Sequence, residues 1–129
     1  MIDPVWSGQI AYRGLAPASA LSEELAQYAL EAPQVLCGKN RNMVLYPISG
    51  GKFINVLAAK YTPGGDGTVY DGPWSEPVTV EAVAKEFEGW GPKALGMIKA
   101  VQAPFGWAMH AVRELSTYVR GRAALIGDA

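Results

Sequence analysis

The stretch Arg120-Gly121-Arg122-Ala123-Ala124-Leu125-Ile126-Gly127-Asp128-Ala129 reads as a short apolar strand running into a glycine and a carboxylate. Open sheets place ligand contacts at such carboxyl ends of strands. Gly127 permits close backbone approach, and Asp128 can accept hydrogen bonds from sugar or ribityl hydroxyls; the same residues also make an ordinary strand followed by a turn. Arg13 carries a guanidinium that matches a planar carboxylate in bidentate fashion, or that closes a surface or sheet-edge ion pair. His110, the sole histidine, suits acid or base work or a contact to an aromatic hydroxyl, and equally a satisfied structural role. Tyr46, Trp74, Trp90 and Trp107 could stack on a ligand, although such residues more often anchor cores and interfaces.

Other chemistries find little support. Cys37 is the only cysteine, so no intrachain disulfide forms and a cytoplasmic setting is the better expectation. With one histidine and one cysteine there is no ligand pair for a metal site, and no histidine lies near Cys37 in sequence to suggest a nucleophilic dyad. The 11 basic and 12 acidic residues give a net charge of -1 without any basic run, which argues against nucleic-acid and polybasic membrane binding. Residues Met1 to Trp6 lack the blocks of a signal peptide, and no apolar stretch approaches the roughly 20 residues that span a bilayer. At 129 residues, 50% hydrophobic and 18% charged, the chain is expected to fold as one globular domain over residues 1–129.

The elements that must position these groups follow from periodicity. Gln9 to Leu15 reads as a strand, and Ser19 to Glu31 as a helix with a Leu21, Leu25, Tyr28, Ala29 stripe, stopped by Pro33. Asn42 to Ser49 and Lys52 to Tyr61 read as a hairpin turning on Gly50-Gly51 in two residues. Thr62 to Pro73 should be an exposed loop. Thr79 caps a helix with Val80, Val83, Ala84 and Phe87, and Pro92 opens another with Leu95, Ile98 and Val101. Phe105 to Val112 and the buried Ala123 to Ile126 read as further strands. Hairpin-paired strands with helices inserted in runs favour an α+β domain: a mostly antiparallel sheet with helices packed on one face.

The terminal pattern of Gly-Arg, four apolar residues and Gly-Asp-Ala resembles the second flavin motif of class A FAD-dependent aromatic-ring monooxygenases. Upstream, Ala11-Tyr12-Arg13-Gly14-Leu15, Tyr46-Pro47-Ile48 with Gly50-Gly51, Trp74-Ser75-Glu76-Pro77 and Gly106-Trp107-Ala108 follow in that family's order. Together they are similar to the middle, substrate-binding region of salicylate-hydroxylase-like enzymes. The pattern departs from the family at Ala111, Val112 and Glu114.

The resemblance implies a sheet whose open face roofs substrate and isoalloxazine. It implies FAD contacts at Gly127 and Asp128, and an aromatic substrate bordered by Arg13, Tyr46, Trp107 and His110. The family's hydroxylation also needs a Rossmann segment with Gly-x-Gly-x-x-Gly, which these residues do not supply; Gly64-Gly65-Asp66-Gly67 has the wrong spacing. The expectation is a chain that alone neither binds FAD tightly nor hydroxylates. Its apolar sheet face would then be covered by the C-terminal segment or by self-association into a dimer or larger homo-oligomer. The alternative is a stand-alone ligand-binding or protein-interaction domain that uses the same face.

Overall fold

In the computed structural model, which describes residues 3–127, one strand organises the rest. β1 (Val5–Pro17) is hydrogen-bonded on both sides, to β4 (Phe53–Asp66) and to β6 (Gln102–Ala111). Beyond β4 lie β3 (Arg41–Ile48) and β2 (Gln34–Gly38), and beyond β6 lies β5 (Ser75–Pro77). The order is β2-β3-β4-β1-β6-β5 and every pairing is antiparallel. Helices α1 (Glu23–Glu31), α2 (Val80–Glu86) and α3 (Pro92–Ala100) pack on one face, which is the α+β arrangement expected.

Strand alternation decides what those helices bury, because successive side chains point to opposite faces. Met43 and Leu45 of β3 and Ile54, Val56 and Ala58 of β4 meet Ala29 of α1, Val83 of α2 and Ala94, Met97 and Ile98 of α3. Phe87, just past α2, is fully buried and meets the Trp90 ring near edge-on at 5.1 Å. The gap lined by Val56, Ala58, Val83, Ile98 and Val101 holds only about 10 Å³. Gly14 allows this closeness, since a Cβ there would lie 2.3 Å from the Val101 side chain.

Local chemistry fixes the helix ends. The Thr79 hydroxyl accepts from the Ala82 N–H at 3.2 Å, and Pro92 opens α3, both as expected. The Glu86 carboxylate at the end of α2 accepts from Lys60 Nζ at 2.8 Å and Arg41 Nη2 at 3.2 Å, tying that helix to β3 and β4. Such partly exposed pairs contribute on the order of 1 kcal/mol or less, so they orient α2 more than they stabilise it. Tyr12, on the same face, has its phenol pKa raised, first by burial and then by the Glu86 carboxylate.

Several expected boundaries move. The first helix starts at Glu23, because the Ser22 hydroxyl caps it by accepting from the Leu25 N–H; residues Ala18–Ala20 form a separate 3₁₀ turn. The hairpin turn takes four residues instead of two: pairing ends at Ile48 with Phe53, and Ser49, Gly50 and Gly51 all adopt positive φ. The Lys52 carbonyl accepts from the Ala18 N–H at 2.9 Å, one step beyond the Pro17–Phe53 pair of the β1–β4 ladder. The expected loop from Thr62 is instead an irregular continuation of β4 to Asp66, where Gly65 is buried against Trp6. Ala123 to Ile126 is not a buried strand of the sheet: only Ala123–Ala124 (β8) pairs, with Val119–Arg120 (β7), in an exposed hairpin. With no packed layer over it, Ile126 is 81% exposed.

The Tyr12 shift has a signed consequence. A phenol pKa raised in the folded state favours folding fully below the unfolded value of about 10. That contribution disappears as pH rises through the higher folded value. The urea midpoint is therefore expected to fall above about pH 10, and Tyr12→Phe should reduce that alkaline loss; an unchanged pH profile in the variant would contradict the assignment.

Candidate functional site

The face of the sheet away from the helices is built from the residues that alternate with the core. Register places them in rows. Val44, Leu57, Arg13 and Phe105 stand side by side across β3, β4, β1 and β6, with Asn42, Ala59, Ala11 and Trp107 in the next row. Tyr46, Asn55 and Leu15 form the row on the other side of Arg13. Leu15, Tyr46, Phe105, Trp107 and Met109 are all exposed, Trp107 by 48%. The C-terminal segment leaves them so, which answers one of the two expected ways of covering this face.

Arg13 is exposed near the centre of that face, on an interior strand and not at a sheet edge. Its Nε donates to Asn55 Oδ1 at 3.3 Å. Among the described residues it makes no ion pair; the carboxylates that do pair are Glu24, Asp66 and Glu86 with other cations. A free guanidinium flanked by Leu57 and Phe105, with Trp107 on the diagonal, offers a planar donor edge beside apolar and aromatic surface. That combination suits a flat apolar ring bearing a carboxylate.

The other expected site residues divide. Tyr46 shares the face, but lies two strands from Arg13 and roughly 20 Å from Trp107 at the usual strand spacing. One small ring could not touch both. His110 is not on this face: Trp107 and His110 sit at opposite parity on β6. The His110 ring stacks on Trp74 at 3.8 Å and 14°, near Tyr70 on the helix side. Its Nδ1 lies 2.8 Å from the Ala108 carbonyl, which can only accept, so that nitrogen carries a proton. Gly127 is exposed with φ +63°, outside the six-stranded sheet; Asp128 lies outside the described residues.

Three members of the central patch were not expected from the sequence: Asn55, Leu57 and Phe105. A lone asparagine inside an apolar strand was the available signal for the first. The other two needed the cross-strand register. Among the described residues no three of His, Cys, Asp and Glu converge as a metal site would require.

Comparison with known proteins places this geometry. No protein-family model matches the chain. A salicylate hydroxylase of Pseudomonas putida is 32% identical over 98% of this chain and 31% of its own length. A 6-methylsalicylate 1-monooxygenase of Aspergillus terreus is 31% identical over 98% of this chain and 27% of its own length. A solved salicylate hydroxylase substrate complex superposes with a TM-score of 0.81 at 32% identity, covering 99% of this chain and 33% of that one. At 17% identity and a TM-score of 0.75, 2,6-dihydroxypyridine-3-hydroxylase from Arthrobacter nicotinovorans shares the fold. The chain spans about a third of the length of these relatives. Over nearly its whole length it is therefore related to one segment of the salicylate-hydroxylase-like FAD-dependent monooxygenases.

Proposed function

We propose that the face bearing Arg13 is the substrate wall of an FAD-dependent aromatic-acid monooxygenase of the salicylate hydroxylase type, with Arg13 pairing to the acid's carboxylate. The observation that carries this reading is a guanidinium free of any acidic partner among the described residues, set in an apolar and aromatic surface. An aromatic acid has the complementary pattern, a flat apolar ring with a planar anion at one edge. Phe105 and Leu57 would take the ring, Trp107 would bound it, and Tyr46 would belong to the rim. His110 has no part in this wall.

A sheet face is one wall, whereas pockets for small molecules enclose most of the ligand surface. The opposite wall would come from the flavin-binding part of such an enzyme. Redox chemistry there belongs to the cofactor, and the residues of this chain would supply substrate placement. Gly127, exposed and at positive φ, fits close backbone approach to the flavin's ribityl or pyrophosphate groups, with Asp128 beside it in sequence. These are the two positions the flavin motif offers. Acting alone, the 129-residue chain is accordingly read as a weak FAD binder and not as a hydroxylase. A cytoplasmic setting belongs to the same reading.

A second reading is favoured by the exposure of Leu15, Phe105, Trp107 and Met109 on the same surface. Contiguous apolar patches of this kind mark interaction sites. For the isolated chain, the reading is self-association through this face.

Three outcomes follow. Arg13→Met should weaken salicylate binding by about tenfold or more in calorimetric titration; an affinity equal to that of the parent would contradict the carboxylate role. The purified chain should be colourless, so a yellow, FAD-loaded preparation would overturn the weak-binding claim. Light scattering should report a mass above the 13.8 kDa of the monomer, and a stable monomer across micromolar concentrations would argue against self-association.

A further inference from the structure

Asn55 is the one buried polar residue of the described chain, 1% exposed in the middle of β4. Its register partners are Leu15 and Tyr46, which share the open face with it. The amide makes one side-chain hydrogen bond, accepting at Oδ1 from Arg13 Nε. Because a guanidinium can only donate, that contact fixes which end of the amide faces Arg13. The other end, Nδ2, is buried with two donor hydrogens and no partner.

An unpaired buried amide is destabilising, and an apolar side chain of similar branching would avoid that cost between Leu15 and Tyr46. Asn55 thus adds little to the fold that leucine could not. What it does provide is a hold on Arg13. With Nε engaged, the guanidinium keeps its two Nη groups together on the free edge, the arrangement that meets both oxygens of a carboxylate.

We infer that Asn55 is a positioning residue. It holds Arg13 so that the Nη edge meets a planar carboxylate, and thereby sets the preference of this face for aromatic acids over their neutral analogues. The inference rests on the reading of Arg13 as the carboxylate partner. It concerns selectivity, since a merely structural role would alter binding of charged and neutral rings alike.

The test is calorimetric titration of the parent chain, Asn55→Leu, Asn55→Asp and Arg13→Met with salicylate and with salicylamide, alongside thermal melts. Asn55→Leu should melt no lower than the parent, yet bind salicylate about tenfold more weakly with salicylamide unchanged. Should leucine prove too bulky to fold, the isosteric Asn55→Asp carries the test. It sets a carboxylate against Arg13 and should cut salicylate affinity by a similar factor, again sparing salicylamide. An unchanged ratio of salicylate to salicylamide affinity in a folded Asn55 variant, while Arg13→Met loses that ratio, overturns the inference alone. No salicylate binding by the parent at millimolar concentration, or an Arg13→Met variant that binds like the parent, overturns the reading of Arg13 and the inference with it.

Discussion

Helices cover only one side of this sheet, and strand alternation turns that asymmetry into two chemically different surfaces. The residues that meet α1, α2 and α3 form the core around Met43, Ile54, Phe87 and Met97. Their immediate neighbours along each strand have to face the other way, whatever their polarity. Burying large apolar groups such as these gives roughly 1.5–3 kcal/mol for each side chain. The covered face can therefore hold the sheet in register while the other face carries groups that a core would not tolerate.

The two faces handle charge differently. On the helix side, Glu86 is matched by Lys60 and Arg41, and the three link α2 to β3 and β4. On the open side, Arg13 has an amide for a neighbour and no acid among the described residues. A cation left unmatched on an otherwise apolar surface contributes nothing evident to folding and is well suited to a ligand anion. The pairing of β1 with both β4 and β6 places that cation near the centre of the sheet.

Much of this was legible in the sequence where local chemistry decides the outcome. Thr79 and Pro92 announced α2 and α3, and Gly50-Gly51 announced the β3–β4 hairpin, although not the length of its turn. The short motifs in order announced the relationship to salicylate-hydroxylase-like monooxygenases. β2 was missed because it is a short, half-exposed edge strand without alternation. The buried Ala123 to Ile126 strand failed because no layer packs on it here. Parity could have separated His110 from Trp107, which lie three residues apart on one strand and so point to opposite faces. Tyr46 is different: its distance from Trp107 depends on how four strands are registered, which no single stretch of sequence encodes. Asn55 gained its meaning only once the Arg13 contact and the unpaired Nδ2 were seen together.

We propose that the open face around Arg13 receives an aromatic acid. Heteronuclear NMR of the chain titrated with salicylate tests it most directly, since it reports both faces at once. The largest shifts should fall on Arg13, Asn55, Phe105 and the Trp107 indole, with Tyr70, Trp74 and His110 little changed. Shifts centred on the Trp74 and His110 stack, with the Arg13 face silent, would contradict it.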